Sequence, residues 1–277
     1  MAYGAAMTHR RSLIALVLVA AAILYNTGTP AHASFGISQR WGVDSCGINT
    51  VAKAQAFWTH TPYSNIGVYI GGSAAACPMN SASFMTALVN MGWQIMPIWV
   101  GPQASCSSFG SRMSSNPDTA FQQGKTEAHA SYLRLRSLGM SVDNTPVIYD
   151  LENYDTTNST CVNAAKAFIR GWVTQAHVPT AQKSGVYGST CGSGLANFAT
   201  ISPAPDFIDG ASWDGIKSTR TMPCISSGSW TNRQRHKQYR GDHSETWNGV
   251  TLSVDNDCSN APVYPGPDEL DTGQGCL

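Results

Sequence analysis

The 277-residue chain is poor in charge, with only 12% charged residues and a formal net charge of zero. Domains that bind nucleic acid depend on clustered Lys and Arg to neutralise phosphates. This composition therefore argues against a nucleic-acid partner. Gly, Ser, Thr and Asn are plentiful instead, and a polar, uncharged surface suits an exported protein.

Several motifs of common enzymes are missing. There is no G-x-S-x-G nucleophile elbow, no H-E-x-x-H zinc motif and no C-x-x-C pair, which argues against serine hydrolases, zinc proteases and thiol redox proteins. No G-x-G-x-x-G follows the first predicted strand, which weakens a dinucleotide-binding interpretation. We therefore expect no cofactor and no metal site.

Long apolar runs are missing beyond the N-terminus, so we expect no membrane span in the mature chain. The one such run, 13–24, follows a pair of arginines and precedes Ala31-His32-Ala33. This order is typical of a signal peptide, which we place at residues 1–33. The arginine pair is compatible with twin-arginine export. A retained N-terminal anchor is the alternative.

All eight cysteines lie after this segment, and an even number in an exported chain predicts disulfide bonds. Many pairings are possible, and the sequence does not select one. With no internal repeat and no linker, we expect one domain over residues 34–277. We expect that domain to be a monomer, secreted or associated with the cell wall.

Short apolar strands alternate with helical patterns, which favours a parallel sheet covered by helices. Eight strands predict a single, somewhat irregular (β/α)₈ barrel of the TIM type with disulfides, and an open doubly wound sheet is the alternative. The predicted strands are 41–44, 66–70, 94–100, one within 146–154, 185–187, 207–213, 237–239 and 250–254. Apolar stripes predict helices over 49–59 and 81–91, a longer one capped by Asp118, and one from Val162 to Ala176. We expect short or degenerate helices after the fifth to seventh strands.

Carboxyl groups recur at the ends of these strands. Asp150 and Glu152 end the fourth strand side by side, because residues i and i+2 point to the same face, and crowding of two acids raises at least one pKa. Asp44 ends the first strand and Asp255 the eighth, with Asp257 beyond it. A barrel gathers such ends at one mouth, which predicts an acid-catalysed site. A solvated acidic loop is the alternative for the Asp-x-Glu alone.

Aromatic side chains cluster at the same strand ends and suit a sugar polymer, whose ring faces stack on them. Some of these large rings belong to the core. We expect the following five to bind substrate: Tyr69, Trp99, Tyr187, Trp213 and Tyr239.

Several of these blocks resemble the family-25 glycoside hydrolases, which are cell-wall lysozymes on an irregular α/β barrel. The blocks are Gly42-Val43-Asp44-Ser45, Tyr149-Asp150-Leu151-Glu152, Gly185-Val186-Tyr187-Gly188, Gln238-Tyr239, Trp247-Asn248-Gly249-Val250 and Val254-Asp255. The chain is still more similar to a secreted bacterial family described as glycoside-hydrolase-like and of unknown function, through the stretches 66–72 and 97–103.

The resemblance implies a role for each acid. Glu152 matches the proposed general acid, and Asp150 the group that stabilises positive charge at the sugar carbon or orients the acetamido group. Asp44 and Asp255 match the acids that position these groups. The second strand departs from the lysozyme pattern, because it ends in the small, uncharged stretch 71–74.

These observations predict an exported glycoside hydrolase that cleaves a cell-wall polysaccharide such as peptidoglycan. One alternative is a non-catalytic wall-binding protein on a degenerate hydrolase barrel. A weaker alternative is a calcium-dependent phosphodiesterase that uses Asp255 and Asp257, since alternate oxygen ligands suit calcium.

Overall fold

Strands and helices alternate through the part of the chain that the computed structural model describes, residues 35–77, 80–178, 182–266 and 276–277. The strands are β1 Gly36–Ser38, β2 Trp41–Asp44, β3 Asn65–Gly71, β4 Gln94–Trp99, β5 Pro146–Asp150, β6 Lys183–Ser189, β7 Phe207–Ala211, β8 Arg235–Trp247 and β9 Val250–Val263. The helices are α1 Val51–His60, α2 Ala82–Met91, α3 Pro117–Ser137 and α4 Ser159–Ala176, with a 3₁₀ helix at Leu195–Thr200. The predicted signal peptide lies outside the described residues.

The strands close into an eight-stranded barrel, which confirms the predicted fold class and excludes the open sheet. Strands β2 to β8 pair in parallel in chain order, and β9 pairs with both β8 and β2. The short strand β1 adds to β9 as an extra strand.

The last barrel strand runs antiparallel, unlike the parallel eighth strand of a regular (β/α)₈ barrel. Only Asn248 and Gly249 separate β8 from β9, and both have positive φ, of 47° and 76°. Asn-Gly is the favoured pair for such a two-residue hairpin turn. A parallel strand needs a crossover of a dozen or more residues, so this turn fixes the antiparallel direction.

Helices cover one side of the barrel. Asn116 caps α3 by accepting a hydrogen bond from Thr119 N, so the predicted cap is wrong and Asp118 lies in the first turn instead.

Helices α3 and α4 pack closely where each has a glycine, Gly124 on α3 and Gly171 on α4. A Cβ on Gly124 would lie 2.0 Å from the carbonyl oxygen of Phe168, a distance at which atoms overlap.

The other side of the barrel is covered by loops, and two of the four disulfides lie there, Cys191–Cys224 and Cys258–Cys276. Only the 3₁₀ helix follows β6, and no helix follows β7 in the described chain, as predicted for these weakly marked segments. Disulfides join Cys46 to Cys77, Cys106 to Cys161, Cys191 to Cys224 and Cys258 to Cys276. No described helix has the combination of length and apolar character that crossing a membrane requires.

The interior of the barrel has an apolar floor. It is formed by Met96, Ile98, Ile148, Phe207, Ala261 and Val263, all buried. Because side chains alternate along a strand, Ile148 and Asp150 face the interior, whereas Tyr149 packs outward against Phe168 and Trp172 with ring centroids 5.0 Å apart. The alternation places a carboxyl group directly above the apolar floor.

Candidate active site

A cavity of about 210 Å³ opens at the barrel mouth and brings the four predicted acids together. It is lined by Asp44, Tyr69, Ile98, Asp150, Glu152, Tyr187, Trp213, Gln238 and Asp255. The sequence predicted Asp255 at the end of the last strand, but it lies within β9. It reaches the mouth because β9 is antiparallel and pairs Asp255 with Asp44.

Two larger cavities flank this central one. One, of about 410 Å³, is bordered by Glu152, Tyr187 and Cys191. The other, of about 500 Å³, is bordered by Asp44, Asp255 and the loop around Cys46. Trp213 borders all three cavities and is 61% exposed. We call the three cavities together the groove.

The Asp-x-Glu segment is held by a buried glutamine. Gln103 donates from Nε2 to the carbonyl oxygen of Asp150 at 2.8 Å, and its Oε1 accepts from Glu152 N at 2.8 Å. Both bonds are to the backbone, so both side chains stay free to face the groove. Gln103 lies in a stretch that carried the family resemblance, but its contacts span 47 and 49 residues and were not predicted.

The carboxyl group of Glu152 is half-buried. Burial raises its pKa, and the charge of Asp255 adds to that effect. A carboxyl group with a raised pKa keeps a proton closer to neutral pH, which general acid catalysis requires.

Asp44 and Asp255 accept hydrogen bonds at both of their oxygens. Tyr69 Oη donates to Asp44 Oδ1 at 2.8 Å. Gln238 Nε2 donates to Asp44 Oδ2 at 3.0 Å and to Asp255 Oδ2 at 3.4 Å. The backbone N of Asp242 donates to Asp255 Oδ1. Burial and then the charge of Asp255 raise the pKa of Asp44 to about 7.

Asp150 has a different environment. It is buried, and its Oδ1 has no hydrogen-bond partner among the described residues. Burial, followed by the charges of Glu152 and Asp44, raises the pKa of Asp150 well above its usual value. The raised pKa favours the neutral form of Asp150, and its Oδ1 is available to a ligand.

Two further buried acids lie in the barrel. Asp209 was not predicted as a site residue, and Asp257 was named only for the calcium-dependent alternative. Burial raises the pKa of Asp209 on β7 to about 8. Asp257 is fully buried, and neither of its oxygens has a partner within the described chain. Asp209 follows Phe207 by two residues in an otherwise apolar strand, which is the sequence signal for an inward-facing carboxyl group.

Three of the five predicted aromatic residues line the groove, namely Tyr69, Tyr187 and Trp213. The other two face away from it, because they alternate with inward-facing neighbours. Trp99 donates from Nε1 to Glu127 Oε2 on α3 at 2.7 Å. Tyr239 is buried in a cluster with Trp41, Cys258 and Cys276.

Gln238 is the inward-facing neighbour of Tyr239 and a site residue that the sequence did not predict. Its Oε1 accepts from Tyr187 Oη at 3.1 Å and from Trp213 Nε1 at 2.8 Å. No group of three or more His, Cys, Asp or Glu within the described ranges is arranged to hold a metal ion.

The comparisons with known proteins agree with this geometry. A family model described as Rv2525c-like, glycoside hydrolase-like domain matches residues 55–259. No curated protein matches the chain. Among solved structures, an uncharacterised protein of B. stearothermophilus is 19% identical, with 79% of this chain and 95% of that chain covered and a TM-score of 0.54.

Two further structures have named activities. The catalytic domain of endolysin ply40 from bacteriophage P40 of Listeria monocytogenes is 12% identical over 80% of this chain and 93% of its own, with a TM-score of 0.52. A family 25 glycosyl hydrolase from Bacillus anthracis is 13% identical over 83% and 91%, with a TM-score of 0.51. At such identities the likeness extends to the fold alone.

Proposed function

This chain belongs to the Rv2525c-like, glycoside hydrolase-like family, and we propose that it is an exported, lysozyme-like glycoside hydrolase that cleaves a cell-wall polysaccharide such as peptidoglycan. The observation that carries the proposal is the convergence of four carboxyl groups with different environments in one groove. Glycoside hydrolysis requires one acid that donates a proton and a second group that stabilises the developing positive charge.

Glu152 is the general acid. Its carboxyl group is half-buried with a raised pKa, and it borders both the central cavity and the cavity of about 410 Å³. A proton held there can pass to the glycosidic oxygen as the bond breaks. The sugar on the leaving side then occupies the cavity of about 410 Å³.

Asp150 acts on the sugar on the opposite side of the cleaved bond from the leaving sugar. Its unpartnered Oδ1 contacts the acetamido group or the sugar carbon, and positive charge that develops there is stabilised by the charged form of this carboxyl group. Asp44 and Asp255 are positioning groups, since every one of their oxygens already accepts a hydrogen bond.

The shape of the groove favours a polymer over a small ligand. Flanking cavities continue on both sides of the acids, and the aromatic rings of Tyr69 and Trp213 offer faces to neutral sugar rings. In the central cavity no Lys, Arg or His is among the described lining residues, so an anionic substrate would find no cationic partner there.

The disulfide bonds of the chain are consistent with export to the cell wall. Four disulfides join all eight cysteines, and disulfides persist in oxidising compartments outside the cytoplasm. Together with the signal-peptide pattern of residues 1–33, they support a secreted or wall-associated protein.

The test is product release from purified cell walls and from defined glycans, detected by mass spectrometry. Glu152→Gln should lower turnover by about 10²–10⁴-fold, the usual contribution of a general acid, while the fold is retained. Glu127→Gln is the matched control, because Glu127 lies outside the barrel and Gln preserves an acceptor for Trp99.

New reducing ends from the parent and from the Glu127→Gln variant, with loss in Glu152→Gln, are the expected result. Equal turnover in Glu152→Gln and the parent would refute the assignment. No product from the parent, with the protein still bound to the walls, would identify a wall-binding protein without catalysis.

A further inference from the structure

We propose that Gln238 is a positioning residue that couples Trp213, at the junction of the groove, to the buried carboxyl pair Asp44 and Asp255. The inference deepens the proposed function, because it states how contact with a sugar on Trp213 reaches the acids. The four hydrogen bonds of one buried amide carry it.

The orientation of that amide is determined by its partners. An indole N–H is only a donor, so the atom that contacts Trp213 Nε1 at 2.8 Å must be the oxygen of Gln238. The nitrogen then faces Asp44 and Asp255 at 3.0 and 3.4 Å. Gln238 is 3% exposed, so water cannot readily replace any of these partners.

Trp213 is held in place by the loop that carries it. Ser212 N donates to the carbonyl oxygen of Gln238 at 3.0 Å. Asp214 pairs with the fully buried ammonium of Lys237 at 2.9 Å. The indole also covers Gly241, where a Cβ would lie only 2.0 Å from the ring. The exposed face of the indole is therefore presented to the groove while its N–H is directed inward.

A sugar ring stacked on Trp213 restrains the indole further. The indole N–H then keeps Gln238 Oε1 engaged, and the amide nitrogen stays directed at the two acids. A donor to a carboxylate favours its charged form, so occupancy of the groove lowers the pKa of the pair. Loss of either Trp213 Nε1 or Gln238 Nε2 has the opposite effect.

Other titratable groups also face this pair and contribute to its pKa. Besides Tyr69 and Tyr187, they are Asp150 and Glu152 at β5, Asp209 on β7, Asp242 and His243 on β8 and Asp257 on β9. Of these groups only Tyr187 donates to Gln238, and Tyr187 is unchanged in the Gln238 and Trp213 variants. Substitutions at Gln238 and Trp213 therefore isolate the amide from the surrounding charges.

The test is a ¹³C-carboxyl NMR titration of the free protein, in which Asp44→Asn and Asp255→Asn assign the two signals. Gln238→Leu should move the titration midpoint of Asp44 up by about one pH unit, because it removes a hydrogen bond to a charged group. Trp213→Phe, which keeps a ring but lacks the N–H, should move it in the same direction.

The double variant decides the question. If Gln238 transmits the effect, Trp213→Phe should change nothing further once Gln238→Leu is present. Additive shifts, or an unchanged midpoint in Trp213→Phe, would overturn the coupling. Trp247→Phe is the control, because its indole donates to Glu245 instead, and it should leave the midpoint of Asp44 unchanged.

This readout needs no substrate and no turnover. A failed hydrolysis assay with intact coupling would refute the proposed function alone. Turnover without coupling would refute only the role of Gln238.

Discussion

The two sides of the barrel hold their parts of the groove by different means. On the helix-covered side, the segment with Asp150 and Glu152 is held through its backbone by Gln103. On the loop-covered side, Asp255 and Trp213 are held by side-chain hydrogen bonds that meet at Gln238. The difference indicates that the proposed acid is fixed by the fold itself, whereas the substrate-facing wall depends on a polar network and on disulfides.

The largest effect is expected on removal of the disulfide that closes the loop-covered side. The double substitution of Cys191 and Cys224 by Ala should lower the free energy of unfolding by about 2–4 kcal/mol. The bond links residues 33 positions apart, in a segment with no α-helix to stabilise it. Chemical denaturation measures the change, and a loss below about 1 kcal/mol would show that the loops are stable without the bond.

A smaller loss is expected from a single methyl group on the helix-covered side. Gly171→Ala would place a Cβ 2.0 Å from the carbonyl oxygen of Phe121 on α3. Ala favours a helix by about 1 kcal/mol over Gly, but backbone atoms cannot rotate away, so we expect overpacking to destabilise the protein by about 1–3 kcal/mol net.

Gly110→Ala is the control for that change, since a Cβ there meets no atom within 4 Å. It should alter the free energy of unfolding by less than about 0.5 kcal/mol. Equal stability of the Gly171→Ala variant and the parent would show that the contact between α3 and α4 can relax.

The last effect is a change in stability with pH, and it concerns a buried acid of the loop-covered side. Burial raises the pKa of Asp209 from 3.8 to about 8, so between these values the folded protein holds a proton that the unfolded chain has lost. The free energy of unfolding therefore falls as the pH rises through this window, by up to about 1.4 kcal/mol per pH unit for one proton.

Asp209→Asn should remove this part of the pH dependence. Denaturation of the variant at about pH 5 and about pH 8 should then give two values that lie closer together than those of the parent. The same pH dependence in both proteins would show that Asp209 is already charged at neutral pH.

The sequence predicted the helix-covered side well, because periodicity and stop signals are local. The strand that ends in Asp150 and the helix predicted over 81–91 are both where the pattern placed them. The family resemblance is confirmed by the match over residues 55–259. The Asn248-Gly249 pair is a local signal for a hairpin turn. The prediction of a regular barrel nevertheless implied a parallel last strand, whereas β9 is antiparallel.

The part of the site that could not be predicted depends on contacts between distant residues. Gln238 meets Asp44 across 194 residues, and no local pattern encodes that pairing. Trp99 and Tyr239 were predicted to line the groove but face away from it. Strand-end position alone does not reveal which face of the sheet a side chain takes. A one-residue difference in register reverses that face.

The most direct test of the account compares two leaving groups in the same pair of proteins. Parent and Glu152→Gln should be assayed on the wall glycan and on an aryl glycoside of the same sugar, whose leaving group departs without protonation. If Glu152 is the general acid, the substitution should lower turnover by about 10²–10⁴-fold on the glycan and only slightly on the aryl glycoside. An equal loss on both substrates would contradict the assignment of Glu152 as the proton donor.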